Sequence, residues 1–387
     1  MKDRKFFSNH PFIIEQISLP LHSLLKKISM QVQFLFRKIS FIAVLLFAFV
    51  FVMKAEEPVA ENHEAEAKEE GFNPGKMIMH HIQDANEWHF FTWKKADGSE
   101  FEASIPLPMI LYSKENGLDI FLSNKFHNPG HSYKGYVMEH NHVVREDGIS
   151  FYNISITKNV TSMLIGVSLM LWIFIGIGNR YKNNANEAPK GIQSLLEPII
   201  LFVRDEIAKP LLGEHKYEKF MPYLLTVFFF IWINNMLGLF PSGANFTGNI
   251  TVTMSLALCT FLITILMSKK GYWKHIFVPD GVPRWLVIMP LVEFLGVFTK
   301  PFALMIRLFA NITAGHMIVL SICSLIFIFA QKSIFAGIGV SVVSVAFMLF
   351  VYFLELLVAF IQAYIFTTLS SLFIGEAIAD PHHKEEH

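Results

Sequence analysis

Leu304-Met-Ile-Arg-Leu-Phe-Ala-Asn-Ile-Thr-Ala-Gly-His316 lies within an otherwise apolar run, Trp285–Ala330. That run is about twice the roughly 20 residues an upright membrane helix needs. Arg307 sits well inside it, too far from either end for simple snorkelling to the headgroups. Insertion scales put an arginine near a helix centre at roughly 3 kcal/mol, so something must compensate it. Its guanidinium stays protonated at any physiological pH and cannot itself relay a proton. A carboxylate on a facing partner is the natural counterpart.

Glu293, Lys300, Arg307 and Asn311 are spaced by 7, 7 and 4 residues. At about 100° per residue they share one narrow stripe of a helix. For Glu293 and Lys300 the plainer role is an anchor at the inner interface. His316 lies nine residues past Arg307, about 180° round the helix. A second long apolar run, Ile334–Ile374, carries Glu355 and Gln362, seven apart and so on one face. No turn cluster follows Pro301 in the first run or Gly339 in the second. Either each run holds two short spans, or each is one long tilted helix and the two form a hairpin. In a hairpin, His316 can meet Glu355 while Arg307 faces outward. A His–Glu couple in a membrane can pass protons, because both groups can be tuned to titrate near neutral pH; a satisfied structural pair is the other reading.

Outward from these runs, the chain of 387 residues is 53% hydrophobic and only 17% charged, which places it in the membrane class. Further spans are expected at Val160–Gly178, Phe220–Phe240 and Ile250–Met267. Ile192, Leu195, Leu196, Ile199, Ile200, Val203 and Ile207 follow helical spacing, with Arg204, Asp205, Glu206 and Lys209 largely off that stripe. This pattern predicts an amphipathic helix on the membrane surface. Basic residues crowd between spans one and two and after span three; the loop between spans two and three has none. The positive-inside rule then puts the region before the first span outside and both basic segments inside. Lys332, at the next outer connection, is a mild contradiction.

The expected organisation is a signal peptide or N-terminal anchor over 1–55, an acidic linker over 56–86 and an outer β-rich domain over 87–158. A membrane domain over 159–376 and a polar cytoplasmic tail over 377–387 complete it. Phe41–Met53 suits a signal-peptide core, cut after Ala55, or an uncleaved anchor. Trp88–Trp93, Asp97-Gly98 and Phe101–Ile105 read as a β-hairpin. Further strands are expected at Leu118–Leu122, Tyr133–Met138 and Ile149–Ile156. Because this region precedes every candidate channel residue, it is expected to be dispensable for ion flow, with a part in assembly left open. Cys259 and Cys323 sit in apolar runs and form no disulfide framework. His140, His142, His382 and His383 invite a metal reading, but no companion Cys or spaced carboxylate cluster supports it. No P-loop or G-x-G-x-x-G motif occurs, so no nucleotide site is expected, and zero net charge offers nothing to nucleic acid.

The quoted stretch, with Lys300-Pro301 before it, resembles the signature of subunit a of rotary ATP synthases. Ile361-Gln-Ala-Tyr-Ile-Phe-Thr-Thr368, followed by Leu369, resembles that family's closing motif. Asn234-Asn235 and Gly248-Asn-Ile-Thr-Val-Thr253 also match, so the resemblance covers about 158–376. It implies an all-α polytopic membrane fold with an interfacial helix and a long tilted helical hairpin, preceded here by a small β-rich outer domain. It further implies a non-catalytic proton-channel stator subunit beside a ring of c subunits, with peripheral-stalk b subunits and membrane lipid as further partners. The location would be the bacterial inner membrane, with the C-terminus cytoplasmic and no cofactor. Arg307 matches the family's essential arginine. Asn311, His316, Glu355 and Gln362 match positions lining the outer half-channel, and Glu293 one near the inner half-channel. His316 and Glu355 stand where some relatives carry the two residue types exchanged. A secondary ion-coupled transporter is the competing reading, and the lack of an internal repeat counts against it.

Overall fold

The computed structural model describes residues 74–75, 78, 82–94, 100–115, 117–127, 132–139, 142–145, 147, 149–183, 191–240, 243–244, 246–277 and 288–379. The expected signal or anchor, most of the acidic linker, the Asp97-Gly98 turn, His140, and the tail from 380 with His382 and His383 lie outside the described residues.

Short antiparallel strands come first. β1 (Glu87–Lys94) pairs with β2 (Glu100–Pro106), setting Trp88 opposite Ile105. β3 (Pro108–Ser113) lies between β4 (Gly117–Leu122) and β8 (Tyr152–Asn153), while β5 (Ser132–Tyr133), β6 (Tyr136–Glu139) and β7 (His142–Arg145) form a third sheet in chain order. Met109 and Leu111 alternate inward along β3 and meet Phe121, Phe126 and Tyr136 in a small core. The single strand expected at Tyr133–Met138 is instead a hairpin. Lys134 and Gly135 both take positive φ, 53° and 77°, the backbone of a two-residue primed turn. The strand expected over Ile149–Ile156 contracts to Tyr152–Asn153, and β3 and β7 were not anticipated.

The helices follow: α1 (Lys158–Asn183), α2 (Ile192–Phe202), α3 (Tyr217–Gly238), α4 (Ile250–Met267), α5 (Lys270–Phe277), α6 (Ile288–Lys332) and α7 (Ile334–Ile378). Among the described residues five, α1, α3, α4, α6 and α7, are long and apolar enough to cross a membrane. α4 starts where the sequence provides a cap: the Asn249 side chain accepts the Thr251 N–H at 3.0 Å, satisfying one orphan donor of the first turn. The two long apolar runs are one helix each, of 45 residues, turning at Ser333. Gly337 permits that turn, because a Cβ there would stand 2.8 Å from the Ala330 backbone.

α2 runs on through a π-helical turn (Val203–Ala208) and a short helical turn (Lys209–Leu212). Its apolar stripe divides. Ile192 and Leu195 are exposed, as a membrane-surface helix would leave them, but Val203 and Ile207 are fully buried in the core. The surface-helix expectation therefore fits only the first turns; the rest packs inside the protein. On the polar side, hydrogen bonds from Arg204 first and Lys209 next hold the Asp205 carboxyl down to about 2. A depressed carboxylate contributes its stabilisation above its unfolded pKa and loses it as pH falls toward 2. The main core joins α3 to the hairpin through Leu224, Phe228, Phe229, Leu304, Leu308 and Phe366.

Candidate functional site

The α6–α7 hairpin positions the candidate residues. Gln362 on α7 is buried, 2% exposed, and its Nε2 donates to the backbone carbonyl of Arg307 at 2.8 Å. That bond ties α7 to the backbone of α6 at Arg307. Arg307 itself is exposed on the outward face of α6, and its guanidinium makes no hydrogen bond or ion pair with any described residue. Asn311 is exposed one turn further along. Ala303, Ala310 and Ala314 are exposed beside them, a smooth surface against which another helix can approach closely.

His316 and Glu355 lie on the other side of α6, toward the protein. The carboxylate of Glu355 abuts Gly315, where any Cβ would collide with Oε1. The ring of His316 comes up to Gly238 at the C-terminal end of α3, with Nε2 4.0 Å from the position a Cβ would occupy. The hairpin thus brings the two residues to neighbouring positions without a direct hydrogen bond between them. Both carboxylate oxygens of Glu355 are buried without a hydrogen-bond partner among the described residues. Asn234 Oδ1, Asn235 Nδ2 and Thr313 Oγ are likewise buried and unpartnered. Buried polar atoms are nearly always satisfied by protein or water, so each of these atoms calls for a partner such as ordered water. Thr247 Oγ donates to Asn235 Oδ1 at 2.8 Å, tying the turn after α3 to the same region.

At the opposite end of the hairpin, Glu293 meets His275 of α5, with Oε2 3.2 Å from Nδ1. Lys300 pairs with Glu376 near the end of α7. Neither partner was singled out from the sequence. His275 sits in a basic segment between apolar runs and Glu376 in the last turn of α7; only tertiary packing discloses either.

The chain itself resembles known proteins. A family model described as ATP synthase A chain matches residues 160–375, which contain every candidate residue above. A second, described as a domain of unknown function (DUF8433), matches 77–161. ATP synthase subunit a of Chloroherpeton thalassium is 48% identical over 241 residues, covering 61% of this chain and 70% of the relative. That of Myxococcus xanthus is 45% identical over 242 residues, covering 61% and 77%. ATP synthase subunit a of Chlorobium phaeobacteroides (strain BS1) is 40% identical over 319 residues, 81% of this chain and 78% of the relative. That last span is longer than 160–375, so the likeness extends beyond the membrane helices. With the membrane-capable helices, the two motifs and these relatives together, the chain belongs to the ATP synthase A chain family and is a membrane-sector subunit of that kind.

Proposed function

We propose that this chain is the proton-conducting stator subunit of a rotary ATP synthase, presenting the Arg307 face of α6 to a ring of small subunits that each carry a membrane-embedded carboxyl group. The observation that carries this is the position of Arg307: an uncompensated cation, exposed on a small-residue helix face at membrane depth. A 45-residue helix is about 67 Å long, more than twice the roughly 30 Å hydrocarbon core. A hairpin of two such helices must lie strongly tilted, which suits it to follow the flank of a ring.

The physics of the cycle follows from these parts. A protonated ring carboxyl is neutral and can travel through lipid; an ionised one does so only at a large desolvation cost. Arg307 favours the ionised form as the carboxyl passes and bars direct flow between two half-channels. The outer half-channel runs by Asn311, His316, Glu355 and Gln362, and Glu293 stands near the inner one. Gln362 serves it by holding the Arg307 backbone. Each elementary charge crossing 100 mV releases about 2.3 kcal/mol. The chain itself carries out no covalent chemistry. Its setting is the bacterial inner membrane, with 1–55 as signal or anchor, 56–86 as linker, 87–158 outside, 159–376 in the membrane and 377–387 in the cytoplasm; peripheral-stalk subunits are further partners. Affinity purification in mild detergent tests the reading. A ring of small carboxyl-bearing subunits is expected to co-purify; recovery of this chain alone from an intact membrane extract would favour a self-contained transporter.

A further inference from the structure

Glu293 is the first charge on the Arg307 stripe of α6, and it is paired. His275 of α5 brings Nδ1 to 3.2 Å from its Oε2. The two side chains differ in access: 52% of the His275 side chain is exposed against 25% of Glu293. The imidazole is thus the member of the pair that meets solvent. Their contact is not what holds α5 in place. Ile276 is buried, Phe277 packs on Phe294 of α6 with ring centroids 6.1 Å apart, and Trp273 Nε1 donates to Ser268 Oγ at 2.8 Å. The other charged and titratable groups about this point are Lys300 on α6, Glu376 on α7, and Lys270, Tyr272 and Lys274 on α5. Lys300 engages Glu376, which leaves Glu293 as the carboxylate that His275 meets.

We infer that His275 is a proton relay at the inner mouth of the path, exchanging protons between the inner solution and Glu293. This rests on the channel reading above and deepens it. A carboxyl is almost always ionised at physiological pH, so alone it seldom captures a proton from solution. An imidazole gains and loses one within that range. The step balances within the pair: a solution proton bonds to Nε2, the Nδ1–H proton passes to Glu293 Oε2, and the ring is left neutral. The reverse order releases a proton to the inner solution during synthesis.

The test uses the assembled complex in sealed inverted vesicles, whose medium bathes the His275 side. ATP-driven proton pumping is compared with wild type as the pH of that medium is varied. His275→Gln can hydrogen-bond but cannot carry a proton. Its pumping is expected to fall about threefold or more near pH 8, and less near pH 6, where protons are plentiful. Glycyl-histidine in the medium, an imidazole buffer that does not cross the membrane, is expected to restore most of the rate. His275→Lys keeps a cation against Glu293 and is expected to show the same pH-dependent, rescuable loss. A simple tie between α5 and α6 would leave His275→Lys near wild type, or make the loss in His275→Gln independent of pH and indifferent to the buffer; either result overturns the relay. Wild-type rates in assembled His275→Gln overturn it as well. Should His275→Gln fail to assemble, His275→Lys carries the same test. Arg307→Ala serves as the control: normal pumping there would overturn the channel reading itself.

Discussion

At the residue scale, Glu355 is the most exposed to contradiction. Its carboxylate is buried against Gly315, both oxygens lack partners among the described residues, and His316 is the next residue on from that glycine. A helix pair that merely needed to pack would not keep a carboxyl there, since an unmade hydrogen bond on a buried charged group costs well over 1 kcal/mol. A relay that fills with water does need it. The two readings of the pair separate in a double-mutant cycle on proton flux. His316→Ala and Glu355→Ala are expected to be non-additive, with a coupling of at least about 0.5 kcal/mol in the activation free energy. Losses that simply add would show that protons do not pass between them.

At the scale of elements, the interior of the protein depends on close backbone approaches that glycine alone allows. Gly375 on α7 lies against the Leu211 carbonyl, and a Cβ there would collide with it. Because the obstacle is backbone and not the end of a flexible side chain, relief requires moving the turn at Lys209–Leu212. Gly375→Ala is expected to destabilise the chain by about 1–3 kcal/mol, seen as a lower midpoint for thermal dissociation of the purified membrane sector; an unchanged midpoint would argue against this packing. The spans were legible in the sequence because their apolar windows are long and are bounded by charges or, between α3 and α4, by a Pro-, Gly- and Asn-bearing loop. α4 coincides with its expected bounds, while for the two longest runs the sequence left two short spans or one long helix open, and the structure has one 45-residue helix in each. Elements that failed to show are those set by single residues or by distant partners. The hairpin at Lys134–Gly135 hides in an apparent strand because only one glycine marks it, and Lys134 itself adopts the left-handed conformation. β3 begins at Pro108, two residues after Pro106 ends β2, and both prolines read as breakers. The inward half of the α2 stripe looks the same on paper as a membrane-facing one; which apolar surface covers it is a tertiary matter. Of the candidate site, Arg307, Asn311, His316, Glu355 and Gln362 were all named from spacing and motif. His275 and Glu376 were not, because each acquires its role through a contact between elements far apart in the chain.

At the scale of the molecule, the architecture joins a small sheet-bearing region, a packed group of helices around α3, and a long hairpin whose far side is largely apolar and exposed. Phe335, Val342 and Phe353 are among the most exposed large side chains, as lipid contact would have them, while the Arg307 face keeps alanines around a fixed charge. Under the proposed function, two jobs fall to two sides of one helix: conduction toward the protein, and control of the passing carboxyl toward the ring. The charge and its planar, non-titrating form both matter to the second job. Lysine at that depth can lose its proton under desolvation and lacks the fork that grips a carboxylate through two bonds. The most direct test is proton flux through sealed vesicles whose catalytic heads have been stripped, alongside ATP synthesis in intact ones, for Arg307→Ala and Arg307→Lys. Synthesis is expected to be lost in both, with a passive proton leak at least tenfold above wild type in Arg307→Ala; near-normal synthesis in Arg307→Lys with no added leak in Arg307→Ala would contradict the account.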